Sequence, residues 1–180
     1  MNHKSSMLAY SALLTAMCTA ATIALPIPLV TGGYLNAGDI IIVVTALLFG
    51  PLPASIVGSF GGSIADIITG YVIFAPGTFI AKGLSGLLIG LVWKKSKSKR
   101  LIVSVGASLC GASLMTLLYF VYEAFILRFG LAAAAEIPAN LLQGTVGTAG
   151  GIVLYRALYQ IPRLRLLSQH SLHNKNEPRP

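Results

Sequence analysis

The chain has 180 residues and a formal net charge of +8, yet only 10% of its residues are charged and 55% are hydrophobic. Soluble domains carry roughly 25% charged residues, so this composition excludes an ordinary soluble domain and predicts an all-α membrane protein. Both cysteines, Cys18 and Cys110, fall inside apolar segments and indicate packing rather than a disulfide framework.

The basic residues are concentrated in one loop and in the C-terminal tail. Basic clusters that flank apolar spans are typical of cytoplasmic loops. Nucleic-acid binding would instead need a basic face on a folded domain, so we expect a bilayer and no nucleic acid. The charges in question are Lys94, Lys95, Lys97, Lys99 and Arg100 in the loop and Arg163, Arg165, Lys175 and Arg179 in the tail.

Six apolar segments predict a bundle of six transmembrane helices within residues 1–160. The predicted spans cover about residues 7–25, 37–49, 54–70, 76–93, 102–127 and 137–159. The second segment is short and crosses the membrane only if it tilts or if the bilayer thins locally. The first is longer than the 7–15 apolar residues of a typical signal peptide, so we expect it to be retained.

Six crossings would place both termini and the basic loop together on the cytoplasmic side. If the second segment did not cross, the loop and the tail would still share a side, and only Lys4 would be misplaced. Residues 161–180 are polar and basic, and we expect them to form a disordered cytoplasmic tail. The histidines, His3, His170 and His173, all lie in terminal segments, so the sequence predicts neither a metal site nor a cofactor.

The loop Pro26–Asp39 joins the first two segments. Its prolines stop the first helix, and its paired glycines permit a tight turn. Tyr34, Asn36 and Asp39 form a polar and aromatic tip. The loop is either a simple connector or a lid over a ligand, and in the second case Tyr34 and Asn36 would contact that ligand.

Two charges inside the apolar segments lie at similar depth below the outer face of the predicted bundle. Asp66 is about 6 Å and Lys82 about 9 Å from the outer end of its helix. A charge in such a segment is costly and usually has a partner or a task. We predict a structural ion pair between Asp66 and Lys82, with substrate contact as the alternative. Asp39 is expected to cap the second helix.

A second polar group lies in the outer halves of the fifth and sixth segments. Glu123 has Tyr119 on its own helix face and Tyr122 beside it in sequence. An acid beside tyrosines in a dry cavity suits a planar, hydrogen-bonding ring, so these residues predict a ligand site, with structural use of Glu123 as the alternative. Asn140 and Gln143 share a helix face and would either hold a polar ligand edge or bond across helices.

Small residues repeat every three or four positions on several of the predicted helices. The glycines of the third, fourth and sixth segments are expected to let neighbouring helices approach closely. On the first helix, Ala12 and Ala16 form a small-residue face that either packs internally or docks a separate membrane subunit.

The sequence contains no motif of a nucleotide-binding P-loop, a serine hydrolase or a zinc protease. Active uptake through this bundle would therefore need a partner that hydrolyses ATP. Two other classes of function stay open at this point. One is a small intramembrane enzyme that uses Asp66 and Glu123 as acid and base, and the other is a channel or scaffold without a ligand.

Three runs of residues resemble the substrate-binding S component of energy-coupling factor (ECF) vitamin transporters. They are Gly32–Pro51, Gly62–Leu84 and Pro138–Gly144, and the similarity extends over Met7–Tyr159. The resemblance implies a six-helix subunit, not an enzyme, that captures a vitamin or precursor from outside a bacterial plasma membrane. It also implies a transmembrane coupling subunit and two cytoplasmic ATPase subunits as partners.

The resemblance also assigns roles to particular positions. Ala12 and Ala16 match the pattern that contacts the coupling subunit, and Pro26–Asp39 matches the loop that covers the substrate. Ligand contacts from that loop and the fourth to sixth helices fit Glu123 and Asn140. The members most like this chain are those for hydroxymethylpyrimidine or pyridoxine-type rings, with riboflavin and pantothenate carriers as alternatives.

Overall fold

The computed structural model describes residues 3–24, 26–29, 32–96, 98 and 100–172. This part of the chain is almost entirely helical, with a π-helical turn at Tyr122–Ile126, a 3₁₀ helix at Gly130–Glu136 and a short hairpin of strands β1 (Ile27–Pro28) and β2 (Tyr34–Leu35). Its α-helices are α1 (His3–Ala24), α2 (Gly38–Phe49), α3 (Pro51–Thr69), α4 (Ala75–Lys95), α5 (Leu101–Val121), α6 (Ile137–Tyr159) and α7 (Pro162–Leu172).

Among the described residues, four helical stretches are long and apolar enough to cross a membrane. They are Ser6–Ala24, Pro51–Thr69, Ala75–Lys95 and Leu101–Ile126. The helix α6 has the necessary length, with 23 residues, but falls short in apolar character. The expectation of an all-α membrane protein is thus confirmed, while the count of six spans stays a prediction.

The short helix α2 lies at the centre of the bundle. It packs against α1, α3, α4, α6 and α7, and Ile40 is the one residue of its 12 that is not buried. A helix that is apolar on all sides is stable only when it is enclosed by other elements. Burial on every side, rather than local thinning of a bilayer, therefore accounts for the apolar composition of this short segment.

The helices α3 and α4 form the most extensive helix pair, and their glycines allow it. A Cβ atom added at Gly86 would lie 2.5 Å from the carbonyl oxygen of Ala54, and one added at Gly58 would meet the carbonyl group of Lys82. In α6, Gly147 lies against Asp39 in the same way. The predicted close approach of helices at small residues is confirmed at these positions.

The expectation of a disordered tail is wrong for the part of the tail that the structure describes. Residues Pro162–Leu172 form α7, which packs against α2. Leu164 and Leu167 join the apolar cluster around α2, and the Ser171 hydroxyl donates a hydrogen bond of 2.6 Å to the Phe49 carbonyl. The segment is polar overall, but its leucines give it an apolar face that packs against the bundle. Residues 173–180 lie outside the described part of the chain.

The glycine contacts of the α3–α4 pair give a stability prediction. Replacement of Gly86 by alanine should lower the free energy of unfolding by about 1–3 kcal/mol, because the added methyl group would overlap with a backbone that cannot move aside. Thermal unfolding in detergent, followed by circular dichroism, measures the change. Gly106 in α5 is the matched control because a Cβ there meets nothing within 4 Å, and Gly106→Ala should be neutral or stabilising by about 0.5–1 kcal/mol. Equal melting temperatures for both variants would contradict the packing account.

Candidate ligand-binding site

The predicted loop between the first two helices folds into a small hairpin, which we call the lid. The antiparallel strands β1 and β2 pair Ile27 with Leu35 and Pro28 with Tyr34. The backbone N–H of Leu29 donates a hydrogen bond of 2.8 Å to the carbonyl oxygen of Gly33. The second strand of the lid leads directly into α2.

The tip of the lid is attached to the end of α3 by Tyr34. Its hydroxyl group donates a hydrogen bond of 2.6 Å to Oδ1 of Asp66, and its ring lies 4.4 Å from the ring of Tyr71. Burial and the neighbouring Asp66 raise the pKa of Tyr34, so the phenol stays protonated and remains a hydrogen-bond donor. This contact occupies one oxygen of Asp66.

Lys82 pairs with Asp39, so the predicted ion pair between Asp66 and Lys82 is wrong. Lys82 Nζ lies 3.1 Å from Oδ1 of Asp39 and donates a second hydrogen bond of 3.0 Å to Oδ1 of Asn36. The count of residues along each helix placed Asp66 and Lys82 at similar depth, but it did not show that α2 begins beside α4. Asp39 reaches the ammonium group from there.

Both oxygens of Asp39 are used in this network. Gln143 Nε2 of α6 donates a hydrogen bond of 2.5 Å to Oδ2 of Asp39, and Gln143 Oε1 accepts one of 2.8 Å from the backbone N–H of Asn36. The prediction that Asp39 caps α2 is therefore wrong: the N-cap position is Ala37, and the first N–H group of the helix, that of Gly38, donates a hydrogen bond of 3.1 Å to Oδ1 of Asn36. The network connects α2, α4, α6 and the base of the lid.

The space beneath the lid is a small cavity of about 30 Å³. Side chains from the lid, from α3 to α6 and from the two short helices between α5 and α6 surround it. Typical small-molecule sites measure roughly 300–1,000 Å³, so this conformation is a closed one. The lining residues are Gly33, Tyr34, Asn36, Asp66, Phe74, Thr78, Tyr119, Glu123, Glu136, Asn140 and Gln143.

Most of the polar residues predicted from depth alone do converge here. Glu123 and Asn140 are 1% and 6% exposed and line the cavity together with Gln143. Tyr119 also lines it and donates a hydrogen bond of 2.9 Å from its hydroxyl group to Oγ1 of Thr78. These residues come from elements that are distant in sequence, and the cavity is where they meet.

Tyr122 does not line the cavity, although the sequence predicted it there. Its ring packs against Gly77, and its hydroxyl group donates a hydrogen bond of 2.7 Å to the carbonyl oxygen of Ile73. Successive helical residues point about 100° apart. Since Glu123 points into the cavity, its neighbour Tyr122 points towards the start of α4 instead.

Glu136 is a cavity residue that sequence reasoning missed. It is 4% exposed, lies in the 3₁₀ helix that precedes α6, and faces Glu123. Gly33 of the lid lies close to this carboxyl group, because a Cβ atom added at Gly33 would be 2.8 Å from Oε1 of Glu136. Pro138, two residues after Glu136, is a proline of the kind that begins a helix. This signal could have shown that Glu136 lies at the start of the sixth helix, at the mouth of the predicted site.

A separate apolar groove of about 1,100 Å³ runs along the outside of α1 and α3. Ala12 and Ala16 line it and are exposed. Opposite them lie larger apolar side chains, including Phe60 and Ile64 of α3. The alanine face of α1 therefore does not pack inside the described bundle.

Two comparisons with known proteins are informative once this geometry is known. Residues 2–160 match the family described as "ECF-type riboflavin transporter, S component". A protein of Pyrococcus woesei, described as an uncharacterized protein in the gap 3' region, is 35% identical over 129 residues, which cover 72% of this chain and 84% of the relative.

The Lys82–Asp39 pair gives a second prediction. Lys82→Met leaves a buried carboxylate without its partner and should cost about 3–5 kcal/mol of stability. The double variant Lys82→Met with Asp39→Asn removes both charges and should recover part of that loss. Lys95→Met, on the exposed end of the same helix, is the control and should be nearly neutral. Unfolding in detergent measures all three, and a Lys82→Met protein as stable as the control would contradict the pairing.

Proposed function

The chain belongs to the family of the ECF-type riboflavin transporter S component, and we propose that it captures a small heteroaromatic vitamin or vitamin precursor under its lid. Membership of this family makes the chain a membrane-embedded transporter subunit and not an enzyme. Asp66 and Glu123 are accordingly read as binding groups, and the interpretation of them as a catalytic acid and base is set aside.

The observation that carries the proposal is the composition of the closed cavity. Carboxyl groups, side-chain amides and aromatic rings converge on it from the lid and from four long helices. Such groups are costly to bury in a membrane protein unless they pair with each other or serve a pathway or a ligand. Several of their polar atoms have no partner within the described part of the chain, which favours a ligand that supplies the missing bonds.

The chemistry of the lining favours a planar ring with polar edges. Phe74, Tyr119 and Tyr34 provide aromatic surfaces, and Asn140 and Gln143 provide amides that both donate and accept. We propose a hydroxymethylpyrimidine or pyridoxine-type ring as the ligand. Riboflavin is the second candidate, because the description of the matching family names it.

Capture of any such ring requires the lid to open. The closed cavity has room for one or two water molecules at its volume of about 30 Å³. The tip of the lid is held by the hydrogen bond from Tyr34 to Asp66 and by Glu136 beside Gly33, whereas its base is held by Lys82 and Gln143. We propose that the tip lifts to admit the ligand while the base stays fixed.

Active uptake by the proposed complex needs partner subunits. ECF S components work with a transmembrane coupling subunit and ATPase subunits in general. We propose that the coupling subunit docks in the groove of α1 and α3 and contacts Ala12 and Ala16. In the proposed topology the chain crosses the membrane six times, the lid faces outward, and both termini are cytoplasmic.

Calorimetry with the purified protein tests the capture of a vitamin. We expect one-to-one binding of hydroxymethylpyrimidine, pyridoxine or riboflavin with a Kd below about 1 μM. Asn140→Leu should weaken binding by at least tenfold, because it removes a buried hydrogen-bonding group at a cost of about 1–3 kcal/mol. Thr145→Val, on the exposed face of the same helix, should bind like the wild type. Failure of every ring, and of the acyclic pantothenate as well, would favour a scaffold without a ligand.

Capture of the coupling subunit tests the docking surface. Ala12→Trp or Ala16→Trp should abolish co-purification of the coupling and ATPase subunits, because the indole would fill the groove where a helix must approach closely. Vitamin binding should be unchanged. Leu117→Trp, at an equally exposed position on α5, is the control for surface bulk. Full co-purification with both alanine variants would show that the partner docks elsewhere.

A further inference from the structure

Three acids from three different elements point an unpaired oxygen into the same cavity. Asp66 of α3, Glu123 of the π-helical turn and Glu136 of the 3₁₀ helix are 3%, 1% and 4% exposed. Asp66 Oδ2, Glu123 Oε2 and Glu136 Oε1 have no hydrogen-bond partner among the residues that the structure describes. A buried oxygen without a donor loses its hydration without compensation, so this cluster is more than a group of neighbouring charges.

No cation is available to neutralise these acids within the described residues. Lys82 of α4 does not line the cavity, and Asp39 and Asn36 already bind it. The remaining polar groups of the lining are uncharged: the hydroxyl groups of Tyr34, Thr78 and Tyr119 and the side-chain amides of Asn36, Asn140 and Gln143. The hydroxyl group of Tyr34 binds Oδ1 of Asp66. The described residues also hold no group of His, Cys, Asp or Glu arranged for a metal ion.

Glu123 and Glu136 are both buried and lie beside each other among the residues that line the cavity. Two ionised carboxylates are both acceptors and repel one another, so an arrangement of this kind favours one proton between them. Burial also raises the pKa of Glu136, which favours the protonated carboxyl group.

We propose that the Glu123–Glu136 pair exchanges its shared proton for a basic ring nitrogen, so that the site selects heteroaromatic ligands that carry such a nitrogen next to an N–H or O–H donor. This inference rests on the proposed function of the cavity as the vitamin site. In the complex, the carboxylates of Glu123 and Glu136 face one protonated ring nitrogen. The adjacent N–H or O–H group of the ligand donates a hydrogen bond to the free oxygen of Asp66.

The proton balance of this exchange depends on the state in which the ligand arrives. A neutral base takes the shared proton: an O–H bond of the pair breaks, an N–H bond forms on the ring, and no proton leaves the complex. A ligand that is already protonated in water brings its own proton. The shared proton is then released to solvent, one for each molecule bound.

Calorimetry of the wild-type protein in buffers with different ionisation enthalpies measures this proton release. With hydroxymethylpyrimidine or pyridoxine as the probe, we expect one proton released below the aqueous pKa of the ring nitrogen and none above it. An analogue with CH in place of that nitrogen is the matched control ligand. It should release no proton at either pH and should bind at least tenfold more weakly.

Two variants distinguish the loss of the shared proton from the loss of any one carboxyl group of the cavity. Glu136→Gln should abolish proton release and weaken binding of the basic ring roughly 10- to 100-fold, the factor expected for one charged hydrogen bond, and should weaken binding of the CH analogue much less. Asp66→Asn should weaken binding of the basic ring but keep the release of one proton. Thermal unfolding establishes that both variants are folded, and the wild-type measurement needs neither of them.

Several results would overturn the inference. They are the absence of proton release by the wild type at both pH values, equal affinity for the ring and its CH analogue, and tight binding of riboflavin that is insensitive to Glu136→Gln. Each of these would leave the proposed capture of a vitamin intact. Absence of binding by every ring of the panel would instead overturn the proposed function and this inference together.

Discussion

The buried ion pair between Lys82 and Asp39 is the constraint on which the rest of the site depends. An ammonium group that is 1% exposed is tolerated only because a carboxylate and an amide oxygen satisfy it. The same carboxylate accepts from Gln143 of α6. The start of α2 is thereby tied to α4 and α6, and the residue that ends the lid, Asn36, is tied to the same point.

The base and the tip of the lid are held by different contacts. Asn36 at the base bonds to Lys82 and Gln143, while Tyr34 near the tip bonds to Asp66 and packs on Tyr71. We propose that a hairpin held in this way moves at its tip without disturbing the bundle beneath it. The acids of the cavity lie under the tip, so lid opening would expose them to solvent and to an incoming ligand.

Sequence reasoning brought most of the polar residues of the cavity together but did not give their bonds. Counting residues along each helix gives the depth of a side chain, and depth alone brought Asp66, Glu123 and Asn140 to one end of the bundle. It does not give the direction around the helix axis. That direction is set by packing, which pairs Lys82 with Asp39 and turns Tyr122 away from the cavity.

The pattern of apolar residues in the sequence did not reveal two other features of the structure. Glu136 lies in a short 3₁₀ helix outside every predicted span, and the apolar face of α7 has few leucines among many polar residues. Family membership was recognisable from runs of residues such as Gly62–Leu84. The identity of the ligand was not, because it depends on how a few cavity side chains divide their hydrogen bonds.

Mass spectrometry of small molecules that co-purify with the intact protein tests the central claim most directly. Cells supplied with a mixture of B vitamins and their precursors provide the ligand in its natural state. We predict one heteroaromatic molecule per chain in the wild type and its loss from Asn140→Leu protein that remains folded. A folded wild-type protein that carries no such molecule, or an equal amount in both proteins, would contradict a vitamin site beneath the lid.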